Sequence, residues 1–380
     1  RFAHPLLAGL GDLAERQAGR IKQRLLRDGC FLLNTKNEDP YDLARSARVS
    51  ASSQERVSGC SPDSPAYHDG LDIWWDQWNP AITERLDSLR GQLIGVGADR
   101  VEAVSVLLSN DSGESQDIPI SLKPVGHVWD YRTDPGPPLA SGTLRVAPGE
   151  RRWARWECSV ELSRGQLLGG FVRLDLGANS NVQWHIAAPV KPGHVSMFEL
   201  GNGRMRTYEQ GVTMSYRIEP AQACFAPEAV INGWNRPYTA PNLWRSDPAL
   251  PGDQWVELAW ETAQRIARVE LTFPGHLLRE YHAYGPLYTD PQCPRDYSIA
   301  VPARGADETP DSRVLELPNS QKGEAETEAW ELLLTVTGNY QRQRKHELPG
   351  AIETERLRII VHRTNGDPAV GIHELRCYGV

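Results

Sequence analysis

The sequence predicts a mainly β protein: two antiparallel β-sandwich domains of jelly-roll kind, preceded by a short helical segment. Three observations carry this. Apolar residues recur at every second position in many short runs. Those runs are separated by loops rich in Pro and Gly, such as Asp134-Pro135-Gly136-Pro137-Pro138. Helical spacing of apolar residues is confined to the opening segment. The length of 380 residues suits two or three domains, and 40% hydrophobic with 24% charged residues is ordinary for a globular chain.

Residues 1–60 form the lead segment. Leu13, Ala14, Ala18, Ile21, Leu25 and Leu26 recur at helical spacing, Arg24 and Arg27 suit a last turn, and Gly29 stops it, which predicts a helix over Asp12 to Asp28. Cys30-Phe31-Leu32-Leu33 reads as a short buried strand, and Asp39-Pro40 caps a brief helix from Asp42 to Ala47. The first sandwich is expected over 61–220. Val104, Val106 and Leu108, a turn at Asn110-Asp111-Ser112-Gly113, and Ile118, Ile120 and Leu122 predict a hairpin. Further alternations start at Trp156, Val172 and Val182. The second sandwich is expected over 221–380, from Val256, Leu258 and Trp260 through Val269 to Phe273, Tyr297 to Val301, Trp330 to Val336, Leu357 to Val361 and Ile372 to Tyr378.

A net charge of -8 with no basic block argues against nucleic acid and against an anionic membrane surface. No apolar run approaches the ~20 residues of a membrane span. Cys30, Cys60, Cys158, Cys224, Cys293 and Cys377 include no Cys-x-x-Cys pair, so they read as mostly buried free thiols. The chain opens on Arg1 without a charged-then-apolar leader, which reads as part of a longer or processed protein, and a cytoplasmic location is the expectation.

The stretch most suggestive of binding runs from Ala229 to Trp260. Trp234, Tyr238 and Trp244 stand among Asn232, Asn235, Arg236, Asn242 and Asp247, so flat apolar faces alternate with hydrogen-bonding tips. Trp234, Asn235, Arg236, Tyr238 and Trp244 are the candidate ligand-binding set. The competing reading has the same side chains plugging the end of their own sandwich or a seam between domains. A second cluster, Asp69 to Trp78, crowds three carboxylates among three Trp and suits a sugar platform, a lip that closes over a substrate held by another domain, or a strand edge packed against the first helix. No catalytic residue is nominated. His346-Glu347-Leu348 and His373-Glu374-Leu375 do not extend to His-Glu-x-x-His, and no Gly-x-Ser-x-Gly elbow is present.

Leu25-Leu26-Arg27-Asp28-Gly29 with Asp39-Pro40-Tyr41-Asp42-Leu43-Ala44-Arg45-Ser46 resembles the segment after the flavin half of a group of bacterial FAD-dependent oxidoreductases. Val230-Ile231-Asn232-Gly233 with Asn242-Leu243-Trp244, Arg295-Asp296-Tyr297, Gly338-Asn339-Tyr340-Gln341-Arg342, Thr364-Asn365-Gly366-Asp367-Pro368 and Glu374-Leu375-Arg376-Cys377-Tyr378-Gly379 resemble the discoidin-type, galactose-binding-like module that ends those proteins. The resemblance implies an accessory region that contacts carbohydrate beside a flavin domain. FAD would belong to that partner domain and none to this sequence, whose nearest glycine-rich stretch, Gly95-Val96-Gly97-Ala98-Asp99-Arg100, lacks the third glycine of a dinucleotide loop. It also implies a structural calcium under the binding loops, for which the corresponding residues are Asn232 and Glu374. The rival functions are a free-standing carbohydrate-binding or adhesion module and a self-contained glycan-cleaving enzyme.

Overall fold

The computed structural model describes residues 36–64, 83–97, 99–128, 136–162, 170–187, 193–201, 203–207, 213–275, 289–303, 314–318 and 327–379. The chain divides into an N-terminal unit, Arg1–Pro40, and a second unit, Tyr41–Val380. The expected helix over Asp12 to Asp28, the strand at Cys30 and the cluster Asp69 to Trp78 lie outside the described residues.

The second unit is nearly all β. Its first half runs through β1 (Arg48–Ala51), β2 (Val57–Cys60), β3 (Thr83–Leu86), β4 (Arg90–Gly95), β5 (Arg100–Asn110), β6 (Gln116–Val125), β7 (Ala140–Val146), β8 (Gly149–Glu161), β9 (Phe171–Leu176), β10 (Asn179–Ala187), β11 (Ser196–Glu199), β12 (Met205–Thr207), β13 (Thr213–Met214) and β14 (Tyr216–Gln222). Its second half holds β15 (Trp244–Arg245), β16 (Gln254–Thr272), β17 (Pro294–Pro302), β18 (Val314–Pro318), β19 (Thr327–Val336), β20 (Gln343–Thr364), β21 (Gly371–Ile372) and β22 (Glu374–Tyr378).

Two antiparallel sheets make the first sandwich. One has the order β13-β10-β5-β14-β2, with β3 on β10 and β8 on β5; the other runs β12-β11-β4-β9-β6-β7. Val104, Val106 and Leu108 of β5 and Trp184 and Ile186 of β10 share one core with Ile118, Ile120 and Leu122 of β6 and Val172, Leu174 and Leu176 of β9. Burying each such side chain favours the fold by about 1.5–3 kcal/mol. The hairpin expected from β5 to β6 is not formed. β5 pairs with β8, β10 and β14, whereas β6 pairs with β7 and β9, so the Asn110 turn carries the chain from one sheet to the other. Asn110 braces that crossing, its Nδ2 donating to the carbonyls of Glu114 (2.9 Å) and Val146 (3.0 Å). Alternation shows which face of a strand is apolar and says nothing about its neighbours.

The second half is built on one sheet, β1-β16-β20-β17-β19-β18, with β22 also on β16. The two longest strands, β16 and β20, pair along nearly their whole length, with register shifts between Ala259 and Gln264 and between Ile266 and Arg268. The second shift changes the parity of the strand, so Val269 and Leu271 reach the same core as Val256, Leu258 and Trp260. Leu357 and Ile359 of β20, Tyr297 and Ile299 of β17, and Leu375 and Cys377 of β22 complete it.

Residues 48–60, grouped by the sequence with the helical lead, give a strand to each half: β1 pairs with β16 and β2 with β14. The expected helix from Asp42 to Ala47 is a 3-10 turn, Leu43–Ser46, capped by Asp42 rather than by Asp39. The Asp42 carboxylate accepts from the N–H groups of Ala44 (3.1 Å) and Cys377 (3.0 Å), which pins the turn to the last strand. Cys60, Cys224, Cys293 and Cys377 are buried free thiols, and Cys158 is a half-buried one.

Candidate functional site

The loop from Asn232 to Trp244 follows a 3-10 turn, Pro227–Ile231, whose C-cap is Asn232. Asn232 turns the chain. Its Oδ1 accepts from the Trp234 N–H (2.8 Å), while Gly233 takes a φ of 86°, a left-handed conformation that suits glycine. The Asn232 Nδ2 donates across the loop base to Asn242 Oδ1 (3.0 Å), and Asn242 Nδ2 donates to the Arg236 carbonyl (3.1 Å). Asn242 itself sits at φ 49°, a conformation Asn tolerates better than most residues. Two asparagines thus clasp the loop and fix its shape before any ligand arrives.

That clasp presents Trp234 and Tyr238, both half-buried, with ring centroids 4.8 Å apart and planes tilted by 34°. His127, just after β6, stacks on Tyr238 at 5.1 Å and 13°. Three rings from two halves of the chain therefore form one aromatic cluster. The loop is also a seam. The Val128 N–H donates to the Tyr238 carbonyl (2.7 Å), and a Cβ added at Gly193 or Gly95 would meet Pro237 or Pro241. His127 was not foreseen, because nothing local connects it with Tyr238.

The other expected site residues divide. Asn235 is half-buried beside Trp234, and its carbonyl accepts from Arg342 Nη2. Arg236 is only 6% exposed, and burial pulls its guanidinium below the usual arginine range. Trp244 does not belong to the surface. It is fully buried in the second core, paired with Ile372 on β21, and its indole N–H donates to the Ser53 carbonyl (2.9 Å). The alternation that made it prominent points it inward.

The calcium expected at Asn232 and Glu374 is not matched by the donors here. Both ends of the Asn232 amide are engaged in the clasp, and Glu374, buried on β22, accepts from Arg376 Nη2 (2.7 Å). Among the described residues no three His, Cys, Asp or Glu side chains gather into a set that could hold a metal. A hard divalent cation calls for several anionic or carbonyl oxygens, and a guanidinium-paired carboxylate with a spent amide is a poor set.

Beneath the clasp lies His373, whose Nδ1 meets the Asn242 carbonyl at 2.6 Å. Burial and the Arg342 guanidinium hold its pKa down at about 3, against a smaller opposing effect of the Asn242 carbonyl. His346, bonded to the Tyr297 hydroxyl at 2.9 Å, is held at about 4 by burial and by Arg344. Unfolded imidazoles titrate near 6.5, so from there down to the folded values the unfolded chain takes up protons that the fold refuses. Their contribution is complete above pH ~6.5 and is lost as the pH falls through that window. Asp42, raised to about 6 chiefly by burial, acts in the opposite sense, favouring the fold below its ordinary 3.8 and losing that contribution as the pH rises towards 6. Glu270, raised by burial, acts in the same sense as Asp42, and the two deeply depressed histidines outweigh both. The thermal midpoint should fall between pH 6.5 and 4, with a shallower slope in His346→Gln; a flat profile would contradict these assignments.

A scan against protein-family models finds no match, and a search of curated proteins finds none. Solved structures similar to part of this chain include the family 32 carbohydrate-binding module of Streptococcus pneumoniae EndoD, at 15% identity and a TM-score of 0.27, covering 41% of this chain and 86% of that one. The family 32 module of C. perfringens NanJ, solved with galactose, aligns at 13% identity and 0.27 over 40% of this chain and 85% of its own. Chitosan-binding module 1 from a Paenibacillus chitosanase/glucanase aligns at 14% identity and 0.27 over 41% and 86%.

Proposed function

We propose that this chain is a non-catalytic, carbohydrate-contacting region whose ligand stacks on the Trp234, Tyr238 and His127 rings. The observation that carries the reading is that surface itself: half-open aromatic faces, held by the Asn232–Asn242 clasp and bordered by Asn235 and the exposed Thr239. Sugars offer apolar C–H faces to rings and hydroxyls to amides, and a preformed site spares the ordering cost of binding. The solved structures just described are carbohydrate- or chitosan-binding modules, one of them in complex with galactose. Glycan binding by the whole chain, with Trp234→Ala as the comparison, tests it.

The same reading makes the chain an accessory to an FAD-dependent oxidoreductase, shaping or extending the substrate cleft of a flavin domain. Support comes from the motifs that carry the resemblance, now found at defined places: Asn232-Gly233 at the loop turn, Asn339 in the β19–β20 turn and Glu374 on β22. Hydride transfer would belong to the flavin of that domain. The purified chain should carry no flavin absorbance; a yellow preparation would sink this assignment. A free-standing carbohydrate-binding module is the second reading, favoured by one fact: all three rings and both clasp residues come from this chain.

A further inference from the structure

A loop poised for binding needs something at its base to hold it. Here three segments converge on one side chain, Arg342. Its Nη2 donates to the Asn235 carbonyl inside the loop, and its own carbonyl accepts from the Phe273 N–H (2.8 Å) at the end of β16. A Cβ built on Gly275 would lie 3.5 Å from Arg342 Cδ and 3.4 Å from an Asp290 carboxylate oxygen, so both side chains pass close to that glycine. Glu374, paired in register with Thr272, and Asp290 both favour the charge on Arg342. A hydrogen bond to a loop carbonyl holds this cation, and the two carboxylates act on it through charge.

We infer that the Arg342 guanidinium, bonded to the Asn235 carbonyl, ties the 232–242 loop to the end of β16, so that the loop is held without calcium. The chemistry of the site agrees. A metal ion approaching Glu374 would face the fixed positive charge of Arg376, which bonds the carboxylate at 2.7 Å, and that of Arg342. Asn232 would have to surrender both hydrogen bonds of the clasp before its oxygen could turn to a metal. A planar guanidinium also suits oxygen acceptors that approach from different directions in one plane. Burial and the neighbouring Arg236 lower the Arg342 pKa to about 9, which still leaves it charged at neutral pH.

The test uses the full chain, melted in EGTA and in millimolar calcium chloride. A ligand that binds only the folded state raises its stability in proportion to the logarithm of its concentration, so the expected result is a midpoint unchanged within about 1 °C. A fall of several degrees in EGTA, or a rise in calcium chloride, would overturn the inference, and this holds without any variant. In Arg342→Ala, amide exchange at Asn235–Asn242 should quicken at least tenfold while the β5 and β9 amides keep their protection; unchanged loop exchange would also overturn it. If Arg342→Ala does not fold, Arg342→Gln is read in the same way.

Discussion

Arg245→Met should cost the protein about 3–5 kcal/mol at pH 7, because it strands two buried carboxylates at once. Arg245 donates from Nε to Glu55 (2.6 Å) and through both Nη groups to Asp367 (2.7 and 2.8 Å), and none of the three side chains is more than 6% exposed. The position magnifies the loss. Glu55 lies in the crossing between β1 and β2, and its N–H donates to the Arg245 carbonyl (2.8 Å), so the arginine fastens the segment that gives one strand to each half of the unit. In the wild type both carboxylates hold the guanidinium well above its ordinary range despite burial. Without the cation, burial would raise the pKa of both acids, so the variant's deficit should be larger at pH 7 than at pH 5. Denaturant unfolding at the two pH values checks this; a deficit below 1 kcal/mol at pH 7 would mean that the triad contributes little.

Glu257→Ala should be comparably severe, at about 3–5 kcal/mol, for the opposite charge reason. Glu257, on β16, is 1% exposed and accepts from Arg358 Nε (2.6 Å) and from Arg356 Nε (2.8 Å) and Nη2 (3.1 Å). The Arg358 guanidinium, fully buried, lies over the rings of Trp255 at 3.9 Å and Trp330 at 4.0 Å. Burial pulls its pKa down, and Glu257 is the main group holding it up. Two indoles offset part of the cost of a buried cation, and the carboxylate must supply the rest. A double-mutant cycle separates the terms: Glu257→Leu with Arg358→Met should recover most of the loss of either single change. No recovery in the double variant would show that stacking between the indoles outweighs the ion pair.

How far the fold could be read in advance depended on whether the evidence was local. Val256, Leu258 and Trp260, and likewise Leu357 and Ile359, declare a buried face by alternation alone, and they line the second core. Partnership is different. That β5 and β6 part into opposite sheets follows from long-range pairing, which strand periodicity does not encode. The loop from Asn232 to Trp244 shows the same division. Its asparagines and its glycine announced a turn, and Asn232, Gly233 and Asn242 build one. Trp244 and Trp234 are chemically alike, yet one closes a core and the other opens toward solvent, and only the pairing of Trp244 with Ile372 separates them. His127 and Arg342 reach the site from about a hundred residues away on either side, joined to it by stacking and by one hydrogen bond.

We propose that the loop's half-buried rings, and not the buried Trp244, meet the ligand. A printed glycan array probed with the full chain, followed by calorimetric titration of a retained glycan, measures it most directly. The wild type should retain a glycan, and Trp234→Ala should weaken that binding at least tenfold, or about 1.4 kcal/mol, with its melting midpoint unchanged. A chain that retains no glycan, or a Trp234→Ala variant that binds as the wild type does, would contradict the account.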